Sequence, residues 1–169
     1  SRDMFIFSYC TRGMAFVDIA YLKKEDVSGG ILSYVRHKTG QRLTVRIEPL
    51  IEEIIERYEP FVHNSPYLIT SNDPEEAFRQ YQTALGYHNR KLKKLGKLTG
   101  ENLHLSSYTA RHSWATVARK HNVPLSVISA GMGHTSEKTT LIYLDSVENS
   151  LIDKANEEIL EALCRNVSK

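Results

Sequence analysis

The 169 residues are enough for one domain with a real hydrophobic core. Hydrophobic residues make up 41% and charged residues 25%, which are ordinary proportions for a soluble globular protein. The formal net charge of +2 is too small to indicate a partner by itself. The longest apolar stretch near the start, residues 14–22, is interrupted by Asp18 and is too short to span a bilayer, so we expect no membrane contact.

The two cysteines and the first residues bear on the compartment. Cys10 and Cys164 lie near opposite ends in apolar helical patterns, which favours two buried, reduced thiols over a disulfide. The chain does not start with a basic and then apolar leader of the secretory type. No Cys and His residues have the spacing of zinc ligands. We therefore expect a cytoplasmic protein without a bound metal.

The first third of the chain predicts helices followed by a hairpin. Apolar spacing indicates two short helices within residues 1–22, separated near Gly13. Ile31–Val35 and Leu43–Ile47 are rich in β-forming residues. The short segment between them contains Gly40, which can adopt a positive φ, and this pattern predicts a β-hairpin.

Helical spacing dominates the rest of the chain. Pro49 can open a helix. A longer helix is predicted from residues 72–74 towards residue 94, with Gly96 as its stop. Ser106 or Ser107 is the predicted cap of the helix that follows. Residues 67–69 are expected to be extended. Three more helices are predicted over residues 124–130, 137–144 and 149–164. The expected fold class is mainly α with a small antiparallel β-sheet.

Basic residues are concentrated where acidic residues are absent. Residues 27–47, 77–100 and 102–136 contain no Asp or Glu. If the fold brings these segments together, they form a positive surface suited to a DNA backbone; the alternative is a set of solvated helix faces. The candidate DNA-binding residues are Arg36, Arg42, Arg90, Lys91, Lys93, Lys94 and Lys97.

Four short motifs contain the residues that could carry chemistry. Taken singly, each has an ordinary explanation, such as an ion pair, an exposed turn lysine or a core aromatic residue. Their fixed order along the chain is the stronger signal. The motifs are Arg12-Gly13 with Asp18, Lys38 at the hairpin tip, Tyr108-x-x-Arg111-His112, and Gly133-His134 followed nine positions later by Tyr143.

In this order the motifs resemble the tyrosine recombinase family, the phage integrase-like enzymes. Residues 107–116 and 125–143 correspond to the second and third motifs of that family, and the resemblance extends over almost the whole chain. It is similar above all to integrases of bacterial mobile elements such as conjugative transposons. The resemblance implies that residues 1–169 form the catalytic domain, and that the amino-terminal core-binding domain of the family is absent from this chain.

The resemblance implies site-specific DNA recombination through a covalent 3'-phosphotyrosine, without metal, cofactor or ATP. Tyr143 would attack the phosphorus atom. Arg12 and Arg111 would hold the non-bridging phosphate oxygens, and His134 would donate a further hydrogen bond. Lys38, at the hairpin tip, would protonate the leaving sugar oxygen.

Three residues beside these remain open in their roles. Asp18 is expected to support Arg12. Tyr108 stands where this family usually has histidine, and a tyrosine with a reference pKa of about 10 is a poor base at neutral pH. The proton acceptor for the nucleophile is therefore either His112 or the phosphate itself.

The expected partners are double-stranded DNA and further protomers in a DNA-dependent synaptic tetramer in the bacterial nucleoid. The isolated domain is expected to be monomeric. The helix predicted over residues 149–164 has an apolar stripe, which would pack on its own domain or, as in related recombinases, on a neighbouring protomer. The competing functions are a DNA-binding paralogue that no longer cuts, a type IB topoisomerase-like enzyme and a non-enzymatic helical interaction module.

Overall fold

A computed structural model describes residues 1–70, 77–99, 103–145, 156 and 160. None of the helices in this part of the chain is long and apolar enough to cross a membrane. The helices are α1 (Arg2–Cys10), α2 (Phe16–Tyr21), α3 (Pro49–Tyr58), α4 (Ala77–Leu98), α5 (Thr109–Lys120), α6 (Leu125–Met132) and α7, which covers residues 137–145. An antiparallel sheet contains β1 (Val27–Ser28), β2 (Ile31–Val35) and β3 (Arg42–Arg46) in that order. The predicted fold class is confirmed.

Strands β2 and β3 form the predicted hairpin. Ile31 lies opposite Arg46 and Val35 opposite Arg42, and Gly40 has a φ of +66° in the turn. Strand β1, which pairs with the start of β2, was not predicted, because its two residues are too few to show a period. The hairpin is therefore part of a three-stranded sheet, and the β2–β3 turn lies at one end of this sheet.

The apolar side chains form two cores. The first lies between α1, α2, the sheet and α3, around the fully buried Phe7, Leu32 and Ile51. The second joins α5, α6 and α7, around Met132 and Leu144. Removal of this apolar surface from water is the main stabilising contribution of each core. Helix α5 also packs on α1, so it connects the two.

Helix α4 does not end at Gly96, as the sequence had predicted, but continues to Leu98. The carbonyl group of Leu103 lies so close to Gly96 that a Cβ atom there would collide with it. Gly96 therefore serves the close approach of a following segment and not the end of the helix. The predicted start of this helix at residues 72–74 lies outside the described residues.

The start of α5 also differs from the prediction. Tyr108 is its N-cap residue and makes no side-chain capping bond, so neither Ser106 nor Ser107 is the cap. The Ser106 carbonyl instead accepts the backbone N–H of Thr109 at 3.0 Å. Most of the helix predicted over residues 149–164, and Cys164 with it, lies outside the described residues.

The chain reverses between α1 and α2 at two residues in the left-handed region. Arg12 has a φ of +62° and Gly13 a φ of +74°. A Cβ atom on Gly13 would lie 2.7 Å from the Cα atom of Arg111 in α5. Gly13 thus permits both the turn and the close contact between α1 and α5 that connects the two cores.

We expect Gly13→Ala to lower the free energy of unfolding by about 2–4 kcal/mol, since left-handed φ costs about 1–2 kcal/mol and a backbone clash adds to it. Urea unfolding measures this loss. Gly29→Ala is the matched control, because Gly29 has a φ of +57° but no atom within 4 Å of its Cβ position. An equal loss in both variants would contradict a packing role for Gly13.

Candidate active site

One pocket contains almost all the predicted catalytic side chains. It opens between the hairpin tip, the start of α5, and the segment that leads from α6 into α7. Every predicted catalytic residue except Arg12 lines it. The lining residues are Arg36, Lys38, Thr39, Tyr108, Arg111, His134, Thr135, Thr139 and Tyr143.

Arg111 is the buried cation of this pocket, with 6% of its surface exposed. Its Nη1 donates to the Gly13 carbonyl at 2.8 Å, and its Nη2 donates to the Met132 carbonyl at 2.7 Å. One side chain thus connects the α1–α2 turn with the end of α6. Burial lowers the pKa of Arg111 from its usual range, but a guanidinium is not deprotonated in proteins at neutral pH.

His134 follows Gly133, which ends α6 in the left-handed conformation with a φ of +64°. Its Nε2 lies 3.2 Å from Nη2 of Arg111, and its Nδ1 lies 2.8 Å from Oγ1 of Thr140. Because a guanidinium only donates, Nε2 must accept, and Nδ1 carries the proton. Burial lowers the pKa of His134 to about 4, so the ring is neutral at pH 7. To donate to a phosphate through Nε2, His134 would first have to change tautomer.

Tyr143 lies on α7 and packs against the second core. Its ring stacks on His112 with centroids 4.8 Å apart and planes 4° apart, and meets the ring of His134 at 5.7 Å and 72°. Burial raises the pKa of Tyr143 to about 12, so its hydroxyl is protonated at neutral pH. The nitrogen lone pairs of His112 lie in its ring plane, parallel to the tyrosine ring, and do not point at Oη. This stacking disfavours His112 as the proton acceptor.

The hairpin tip is held in place by Asp18, which is buried. Its Oδ1 accepts the backbone N–H of His37 at 2.8 Å, next to the exposed Lys38. Burial raises the pKa of the Asp18 carboxyl group from its usual value. This hydrogen bond positions the hairpin that carries Lys38, and the expected support of Arg12 by Asp18 stays a prediction.

Arg12 lies in a different, open groove, among residues of β3, α5 and α6 that include Arg42 and Trp114. Its Cδ would be 3.5 Å from a Cβ atom on Gly131. Arg12 is therefore not among the residues that line the pocket of Tyr143. Its predicted contact with the phosphate is not supported by this position.

The comparisons with known proteins agree with the motif order. The sequence model of the phage integrase family matches residues 5–150. The chain belongs to this family. A tyrosine recombinase of Pseudothermotoga lettingae is 24% identical over 151 residues, 88% of this chain and 51% of that protein. Tyrosine recombinase XerA of Pyrococcus furiosus is 29% identical over 136 residues, 78% of this chain and 45% of that protein.

Solved structures show the same fold. The crystal structure of XerA recombinase has a TM-score of 0.63 at 20% identity, covering 90% of this chain and 57% of that one. The Tn1549 transposon integrase in complex with transposon right end DNA has a TM-score of 0.57 at 14% identity, covering 90% and 58%. This phage integrase family chain spans about half the length of the curated relatives that it matches.

Two residues in or beside the pocket have positions that the sequence did not predict. Thr140 is fully buried and accepts the His134 Nδ1 proton; its only sequence signal is a hydroxyl one helical turn before Tyr143. Arg36 was predicted as a DNA-binding residue of the basic surface, and it is 7% exposed and lines the pocket. The other predicted DNA-binding residues are exposed, and their role remains a prediction: Arg42, Arg90, Lys91, Lys93, Lys94 and Lys97.

Proposed function

We propose that this chain cleaves and rejoins DNA at specific sites through a covalent 3'-phosphotyrosine at Tyr143. The observation that carries the proposal is the single pocket shared by Tyr143, Arg111, His134 and Lys38. It combines a hydroxyl nucleophile with a buried cation for the phosphate and an exposed ammonium for the leaving group. Membership of the phage integrase family supports the same reaction.

Arg111 binds the phosphate in this proposal. Its contacts with Gly13, Met132 and His134 use three of the five N–H donors of a guanidinium. The remaining donors can hold a non-bridging oxygen and stabilise the extra charge of the pentacoordinate transition state. Because the group is already fixed and buried, little reorganisation is needed when that charge develops.

The covalent step exchanges one phosphoester bond for another. The Tyr143 oxygen attacks phosphorus, and its proton passes to a phosphate oxygen. The bond from phosphorus to the 5' oxygen breaks, and the Lys38 ammonium protonates that oxygen. Rejoining is the reverse reaction with the 5' hydroxyl of another strand. The phosphoester energy is conserved, so the exchange proceeds without ATP, and Arg111 provides charge neutralisation of the kind that a metal ion provides in other enzymes.

The exposed cations of α4 support double-stranded DNA as the partner, since lysine and arginine side chains gain affinity by displacing counterions from phosphates. Lys91 also lies 5.2 Å from the ring centroid of Tyr87, at a surface where both side chains can face a DNA strand.

The proposed assembly is a synaptic tetramer on DNA. Its support is the family resemblance, together with a structural neighbour that is a lambda integrase dimer bound to a core site.

Covalent trapping tests this function. The chain, expressed with the flanking sequence that its gene encodes, is mixed with nicked DNA fragments tiled across the region around that gene. After cleavage at a nick, the short fragment diffuses away and cannot be rejoined. We expect a protein–DNA adduct that survives SDS, attached at a 3' phosphate, with EDTA present and ATP absent. Site-specific binding without any adduct would identify a paralogue that no longer cuts.

A further inference from the structure

A single buried cation is a weak phosphate site for this reaction. The attacked phosphodiester already carries one negative charge, and the pentacoordinate transition state carries more. The family resemblance implies two arginines, but Arg12 lies in another groove. A second guanidinium in the pocket of Tyr143 would therefore have to come from elsewhere in the chain.

Arg36 is in that position. It directly follows β2 at the base of the hairpin turn, is 7% exposed, and lines the same pocket as Arg111 and Tyr143. Its Nη1 donates a hydrogen bond to the carbonyl oxygen of Gly133, the residue before His134. A Cβ atom on Gly133 would lie only 3.1 Å from Cδ of Arg36. The absence of a side chain at this position thus makes room for the arginine.

The charge around Arg36 favours an anion. Among the ion pairs of the described residues, none involves Arg36 or Arg111. Asp18, a carboxyl group near them, accepts the backbone N–H of His37 and forms no ion pair with either guanidinium among the described residues. The positive charge of Arg36 also lowers the pKa of Arg111 and of His134. Buried cations that lack an ion-pair partner are costly, and a bound phosphate would relieve the repulsion between the two guanidinium groups.

We propose that Arg36, and not Arg12, supplies the second guanidinium that holds the scissile phosphate. The inference rests on the proposed function, because it names a further catalytic residue for the same reaction. Arg36 and Arg111 would bind non-bridging oxygens, while Lys38, two residues after Arg36 on the hairpin, serves the leaving oxygen. Folding of the hairpin against Gly133 would then bring both groups to the phosphate together.

The test compares two substrates with one variant. Arg36→Ala is expected to reduce the rate of adduct formation by about 10²–10³-fold on the DNA that the parent cleaves, the usual cost of one preorganised charged donor. The second substrate has a neutral methylphosphonate at the scissile position, tested as both diastereomers. Because it lacks the charge that Arg36 neutralises, the variant should cleave one diastereomer at a rate close to that of the parent.

Two controls locate the effect. Arg46→Ala removes an exposed arginine of the same sheet, whose side chain is 83% exposed, and should cleave both substrates like the parent. Arg12→Ala should show no preferential recovery on the methylphosphonate.

Arg36→Gln is a second test variant, for the case that Arg36→Ala unfolds. It keeps an amide that can donate to the Gly133 carbonyl, so it preserves the turn, and it should show the same recovery as Arg36→Ala.

The outcomes separate this inference from the proposed function. Two outcomes would overturn the role of Arg36 and leave the proposed function intact, provided that the parent forms its adduct. In the first, Arg36→Gln cleaves the phosphodiester at the parent rate. In the second, this folded variant is slowed equally on both substrates. If Arg12→Ala recovered its cleavage rate on the methylphosphonate and the Arg36 variants did not, the second guanidinium would be that of Arg12. Absence of an adduct with the parent itself would overturn the proposed function, and the role of Arg36 in it.

Discussion

Tyr143→Phe is expected to abolish the covalent adduct and to leave DNA affinity unchanged. The substitution removes only the hydroxyl nucleophile, and the ring keeps its stack on His112 and its edge contact with His134. Adduct formation is measured on the trapping substrate by electrophoresis in SDS. DNA binding is measured in parallel by fluorescence anisotropy at fixed salt, since salt changes affinity strongly.

Tyr58→Phe is the matched control for this loss. Tyr58 is a partly buried tyrosine of α3 that packs against the first core, away from the pocket. Its variant should form adduct like the parent, which shows that loss of a tyrosine hydroxyl is not harmful in general. Adduct that persists in Tyr143→Phe would exclude Tyr143 and direct the search to Tyr108, the other tyrosine in the lining of this pocket.

Lys38→Ala is expected to slow cleavage of ordinary DNA by about 10²–10⁴-fold, the contribution of a general acid. A sugar oxygen is a poor leaving group unless it is protonated, and Lys38 is the exposed cation at the hairpin tip beside the pocket. Replacing the 5' bridging oxygen by sulfur removes this need, because a thiolate leaves readily. Single-turnover cleavage of the sulfur substrate should then be close to that of the parent.

A lysine away from the pocket provides the comparison. Lys23 is exposed and lies 3.1 Å from Glu25, so Lys23→Ala should cleave both substrates at the parent rate. If Lys38→Ala were equally slow on oxygen and sulfur substrates, protonation would not be what the lysine contributes. Its role would then be to position the hairpin or the DNA.

The sequence by itself predicted the features that depend on local patterns and on residue chemistry. Periodic apolar residues predicted most helices, and Gly40 between two β-rich runs predicted the hairpin. The order and spacing of the motifs indicated the family, which the match over residues 5–150 confirmed. Arg111, His134 and Tyr143 lie within a short stretch of chain built from α5, α6 and α7, so their proximity follows largely from local structure.

Only the tertiary structure decided which way the long and polar side chains point. Arg36 reaches the Gly133 carbonyl across 97 positions, and Arg111 reaches Gly13 across 98. Asp18 accepts a hydrogen bond from the hairpin, because the packing of α2 brings it to the backbone of His37. A sequence pattern predicts which face of a helix or strand is buried. The direction of a guanidinium depends instead on the distant carbonyl groups that accept its hydrogen bonds, and on the space beside the backbone, once the elements have packed.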